Sequence, residues 1–200
     1  MTDPHRSIRL GILGPDQITR RITGDPTTLN RVLELGIGTN LNSLVPALAG
    51  VKAIAVDPDL SRLAALRERA AQVEAVVECH HADLGDLGFA MSSSIDLVIA
   101  DGSLDEVDDL GRVLRQVHRV LRAGRPLVLA VRHPFDAVSA PDPDTGRVGV
   151  SYGSAARTIG DWIDALRRAN FDVDLLREFG VAPQRLVPHT MVIRAHKLGD

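Results

Sequence analysis

Short apolar runs alternate with helical stripes along most of this chain. "RVLEL" (31–35) reads as a buried strand, and "AIAVD" (53–57) as a second. "PDLSRLAALRERAA" follows, with Leu60, Leu63, Ala64, Arg67 and Ala71 along one helical stripe. "EAVVECH" (74–80) and "IDLVIAD" (95–101) are the third and fourth strands. The clearest helix repeats Val107, Leu110, Leu114, Val117 and Leu121 at three- and four-residue steps. Asp108 and Arg112 can pair on its wet side, and Gly124 supplies a stop.

"RPLVLAV" (125–131) is a fifth strand. The stretch "HPFDAVSAPDPDTGRVGVSYGS" then has the proline, glycine and aspartate content of a loop. "RTIGDWIDALRRAN" opens with Thr158 and Asp161 at capping-box spacing and sets Ile159, Trp162, Ile163 and Leu166 on one face. "FDVDLLREF" begins with strict alternation at Phe171, Val173 and Leu175, and "TMVIRAHK" (190–197) closes the chain as a last strand. Alternating strands and helices point to a parallel sheet covered on both faces. Ligands in such folds sit beyond the carboxyl ends of the strands, here the loops after Leu35, Val56, Ala100 and Val131.

With 200 residues, the chain has enough length for one substantial core, and no repeat or linker divides it. A net charge of -3 and few aromatics give no footprint for nucleic acid. The N-terminus has no apolar signal core and no run is long enough to span a bilayer. The single Cys79 cannot form an internal disulfide, and in an apolar strand it reads as a small core residue. A cytoplasmic protein without membrane or nucleic-acid partners is the expectation.

The chemistry concentrates in "RVLELGIGTN". After a buried strand, Gly36 and Gly38 can turn sharply and let a ligand approach the main chain. A helix expected from about Asn40 would offer unpaired N–H groups. A turn that binds nothing is the plain alternative. Glu34 lies just ahead of the glycines, and Asp57 ends the second strand, where a carboxylate can accept both hydroxyls of a ribose or merely cap the next helix. The dinucleotide fingerprint wants a third glycine, and Leu41 stands there, which counts against NAD. An acid at Glu34 suits a ligand with a cationic group and no phosphate.

In their order, "VLELGIGTN", "AIAVD", "HADL", "IDLVIADGSL" and "VLRAGRPLVLAV" resemble the class I S-adenosylmethionine-dependent methyltransferases, over nearly the whole chain from about Arg31. The stretches "VDDLGRVLRQVHRVLRAGRPLVLAVRHPF" and "RTIGDWIDALRRANFDVDLL" are similar to small bacterial, especially actinobacterial, members of the methyltransferase type 11 kind. The resemblance implies a Rossmann-like three-layer α/β sandwich with a mostly parallel seven-stranded sheet and an antiparallel last strand. It implies one domain over 1–200: an N-terminal lid or substrate segment (1–30), a cofactor-binding core (31–133), a loop (134–156), and a C-terminal helix and strand pair (157–200).

Carried over by motif, Glu34, Gly36 and Gly38 surround the methionine part of S-adenosyl-L-methionine, with Asn40 where the family often has glycine. Asparagine tolerates left-handed φ, so the turn can survive. Asp57 matches the ribose acid, with Pro58 under the adenine; Asp83 and Leu84 meet the adenine ring; Asp101, Gly102 and Ser103 lie beside the sulfonium and the substrate. Asp83 and Asp101 could equally be turn residues. His133, leaving the fifth strand, is the base candidate, or else it shapes the loop before Pro134.

His118 is expected at the margin of its helix, with one of His80 and His81 inward and the other outward. Tyr152 is either a pocket residue or a loop anchor. No His, Cys or acid cluster has zinc spacing, so no metal is expected. The resemblance implies methyl transfer to a small molecule, a direct displacement that needs alignment rather than a nucleophilic side chain. A degenerate fold that binds without turnover and a nicotinamide oxidoreductase are the alternatives. Acceptor selection falls to residues 1–30, 134–156 and "VAPQRLVPH" (181–189), and a homodimer in which a second copy completes the site stays open.

Overall fold

A computed structural model describes residues 7–11, 21–139, 151–154, 156–180 and 187–199. Much of the expected acceptor-selecting sequence, residues 1–6, 12–20, 140–150, 155 and 181–186, lies outside the described residues.

Seven strands form one sheet: β1 (Arg31–Leu35), β2 (Lys52–Asp57), β3 (Val77–His81), β4 (Leu97–Asp101), β5 (Pro126–Arg132), β6 (Phe171–Phe179) and β7 (Thr190–Lys197). Their spatial order is β3-β2-β1-β4-β5-β7-β6. The first five run parallel, and β7 alone runs against its neighbours β5 and β6. The order reverses between β1 and β4, and this switch point opens a crevice at their carboxyl ends.

Besides a helical turn at 21–23, five α-helices lie among the described residues: α1 (Leu44–Leu48), α2 (Leu60–Gln72), α3 (Leu110–Val120), α4 (Pro134–Ser139) and α5 (Ile159–Arg168). None is long and apolar enough to cross a membrane. Strand alternation sorts the core into layers. Leu33 and Leu35 join Val113, Leu114 and Val117 of α3 and Trp162 and Leu166 of α5 on one face. On the other face Val32 packs with Ile8, Leu10 and Val45, and Ala55 with Leu63 and Leu66 of α2. Asp96, with no exposed surface, holds the base of the switch point by accepting from the Asn30 and Arg31 amides at 2.8 and 3.0 Å and from Arg122 at 2.6 Å.

Several expectations shift. The stripe of α2 is Leu63, Leu66 and Ala70, and Leu60, at the first helical position, is 58% exposed. Asp59 caps α2, which rotates the helix relative to a stripe counted from Leu60. The third strand starts at Val77 because Glu74 takes φ +55° at the end of α2. α3 begins at Leu110 with Asp109 as its cap, so Asp108 lies before the helix and Arg112 faces Asp83 at 3.9 Å instead. The stretch read as a loop after β5 opens with the six-residue α4. The capping box at Thr158 and Asp161 is present. Alternation in β6 breaks at Asp174, in a register shift between Val173 and Leu175, where Asp174 pairs with Arg194 at 2.6 Å.

Since Leu63 is fully buried and Leu60 is not, Leu63→Ala is expected to cost about 2–5 kcal/mol and Leu60→Ala no more than about 0.5 kcal/mol. Urea unfolding of the two variants checks the assignment; equal losses would restore the stripe counted from Leu60.

Candidate functional site

The loop after β1 is built on buried carboxylates. Glu34 has no exposed surface, and its two oxygens accept the amides of Asn42 and Ser43 at 3.0 and 2.8 Å. Those are the N–H groups that the sequence assigned to a ligand. The helix starts at Leu44 rather than near Asn40, and Glu34 uses its first amides from within. Complete burial pushes the Glu34 carboxyl up to about 7, against the pull of the Ser43 and Asn42 groups. Glu34 therefore acts on the loop from beneath.

Asp57 does the same from β2, accepting the Ile37 amide at 2.6 Å and the Asp59 amide at 2.7 Å. Gly36 takes φ +74°, and a Cβ there would lie 2.2 Å from the Ser103 Cβ. Only glycine lets the loops after β1 and β4 approach this closely. Ser103 closes the contact by donating to the Leu35 carbonyl. At Gly38 a Cβ would sit 3.0 Å from the Asp101 carbonyl oxygen. The left-handed position of this turn falls not on Asn40 but on Leu41, at φ +48°, where the fingerprint would have its third glycine.

Two adjoining cavities occupy the crevice and share Arg62 and Ser103. The first, about 440 Å³, is lined by Gly36, Asp57, Pro58, Asp83 and Leu84. The second, about 400 Å³, is lined by Gly38, Asn40, Asp101 and Gly102. Both volumes fall in the ~300–1,000 Å³ range of small-molecule sites. Nine of the eleven candidate site residues thus converge on one crevice, with Glu34 under its floor.

His133 stands apart. Its ring is fully buried, Nδ1 accepts the Phe135 amide at 3.1 Å, and Nε2 lies 2.7 Å from the Glu178 carboxylate. An accepting Nδ1 leaves the ring proton on Nε2, which donates to Glu178. Both nitrogens are engaged, which favours the second reading of His133, shaping the loop at the start of α4. Tyr152 likewise anchors its loop, its hydroxyl accepting the Ile159 amide at 3.4 Å and its ring against Phe135. His118 rests edge-on against Phe171; His80 is half-buried and His81 exposed.

Several residues of the site were missed. Arg62 reads as the wet side of α2, yet it reaches within 3.7 Å of Asp57 and lines both cavities. The N-terminal segment is stitched to the loop by two asparagines. Asn42 exchanges two hydrogen bonds with the main chain of Arg9 at 2.7 and 2.8 Å. Asn40 donates to Asp101 Oδ2 at 2.7 Å and to the Gly11 carbonyl at 3.3 Å, while the Gly11 amide donates to Asp101 Oδ1 at 2.7 Å. The doublet "NLN" was the only sequence signal for this seam.

Comparisons with known proteins bear on the crevice. A methyltransferase-domain family model matches residues 33–129, the segment that builds both cavities. The matched segment is a methyltransferase domain. Its fold is shared with an S-adenosylmethionine-dependent methyltransferase of Methanosarcina mazei (20% identity, 94% of this chain and 100% of that one, TM-score 0.70). An S-adenosylmethionine-dependent methyltransferase of Mesorhizobium loti is similar at 23% identity, over 84% of this chain and 91% of that one, TM-score 0.66. A geranyl diphosphate methyltransferase solved in complex with S-adenosylmethionine aligns at 12% identity over 89% and 74% of the two chains, TM-score 0.66. No curated protein matches the chain. S-adenosylmethionine is the cofactor that the geranyl diphosphate methyltransferase holds.

The crevice fits that cofactor. Asp57 retains free lone pairs beside its two amide bonds, and the cavity beyond it offers one acid and one guanidinium. The two site assignments generate separate tests. With the native Glu34 carboxyl holding a proton that the unfolded chain releases above about 4.5, this group's stabilising contribution is full below that pH and lost as pH rises to about 7. Urea unfolding of the parent should lose up to ~1.4 kcal/mol per pH unit from this group, and Glu34→Gln should flatten the slope across the same window. His133→Ala should lower the thermal midpoint while leaving S-adenosylhomocysteine affinity within about twofold; a large activity loss in a variant of parental stability would return His133 to the chemistry.

Proposed function

We propose that this methyltransferase moves the methyl group of S-adenosylmethionine to a small-molecule acceptor by direct displacement. The observation that carries the reading is the pair of joined cavities at the β1/β4 switch point, with Asp57 in one and Asp101 in the other. Asp57 is placed to accept the two ribose hydroxyls, Asp83 and Leu84 to border the adenine, and the loop from Gly36 to Asn40 to run along the amino-acid end.

When bound, the cofactor supplies an electrophilic methyl carbon on a sulfonium. An acceptor lone pair would bond to that carbon, with the carbon–sulfur electron pair left on sulfur. Any proton on the acceptor passes to bulk solvent once the methylated product is released. The chain's task is to hold the two reactants in line and keep water out, which accounts for rate without a nucleophilic side chain. With the His133 ring engaged at both nitrogens, the reading uses no histidine base.

Calorimetric titration with S-adenosylmethionine, S-adenosylhomocysteine and NAD tests this. Micromolar binding of the first two and none of NAD is expected. Asp57→Ala should weaken both by roughly ten- to a hundredfold, the size of losing hydrogen bonds to a charged group. A folded protein that binds neither methyl-cofactor species overturns the reading.

A further inference from the structure

Asn40 departs from the glycine the family often carries, and the structure gives that departure a purpose. Resting on the proposed placement of the cofactor, the first cavity takes the adenosine, so the second receives the amino-acid end. That second cavity presents one cation, Arg62, and one anion, Asp101. Such a lining suits a zwitterion, whose carboxylate and ammonium need partners of opposite sign.

An acid recognises an ammonium well only when its oxygens are aimed beforehand. Asp101 is 9% exposed, and each of its oxygens already accepts one hydrogen bond at 2.7 Å, from Gly11 and from Asn40. The remaining lone pairs are thereby fixed in direction. The Asn40 amide also reaches the Gly11 carbonyl at 3.3 Å, so one side chain ties the acid and the N-terminal segment together. Gly11 lies close against Thr190, where an added Cβ would come within 2.6 Å of its side chain. A glycine at position 40 could make neither bond.

We propose that Asn40 is a positioning residue that aims the Asp101 carboxylate at the ammonium group of the cofactor's amino-acid end.

The test compares two ligands that share the adenosine and differ at the far end. Parent protein and Asn40→Ala are titrated calorimetrically with S-adenosylhomocysteine and with 5′-methylthioadenosine, which lacks the amino-acid group. The variant should bind S-adenosylhomocysteine about tenfold more weakly and methylthioadenosine within twofold of the parent. Equal losses for both ligands would make Asn40 a purely structural loop residue and overturn the proposal, as would no loss for either. If the parent binds both ligands equally, the second cavity adds nothing and this inference falls while the adenosine site stands. If the parent binds neither, the cofactor placement falls with it. Thermal unfolding checks the variant's fold, and Asn40→Gly, which restores the family's usual residue, provides the same comparison should Asn40→Ala fail to fold.

Discussion

A carboxylate without exposed surface governs this crevice. Glu34, one residue before the end of its strand, lies beneath a loop that must leave the sheet, turn, and start a helix within nine residues of Leu35. The amides of Asn42 and Ser43 would otherwise be buried without partners, at a cost of about 1–3 kcal/mol each. Glu34 accepts both. Asp57 performs the same service for Ile37 from the neighbouring strand. Two acids on adjacent strands thus fix the loop's course, and that course decides where the cavities open.

Burial of Glu34 has a consequence of its own. Its proton affinity rises because water is excluded, and the nearby Asp101 carboxylate adds to the effect. Asp101 is itself pushed upward by burial, against the donors from Asn40 and Gly11. The two acids lie on either side of the switch point, so the loop between them is held by groups whose charge depends on how completely the fold excludes solvent. This is a physical reason for the tight closure between Gly36 and Ser103.

The same loop recruits the chain's N-terminal segment. Arg9 and Gly11 are fastened through side chains rather than through a regular ladder. Asn40 and Asn42 are two residues apart on a turn and both donate to that segment. His133 and Glu178 tie the end of β5 to β6, and beside the first cavity Arg157 holds the carbonyls of Leu104, Asp105 and Val107. Side-chain donors to the main chain are what position the irregular rim on a regular sheet.

The alternation of apolar runs determined the seven strands, the parallel character of the first five and the rim where the cavities open, because period and burial are local properties of sequence. The glycine pair, Asp57 and Asp83 were legible for the same reason: each lies at a strand end or just beyond one. Several things were decided only by tertiary structure. Whether Glu34 faces a ligand or the loop depends on where the Asn42 and Ser43 amides come to lie, and the chain must fold back to bring them there. Arg62 becomes a site residue because α2 packs by Leu63, Leu66 and Ala70, turning it toward Asp57. His133 lost its free nitrogen to Glu178, 45 residues onward. Periodicity marks which face of an element is buried; it carries no record of which distant partner a polar group will meet.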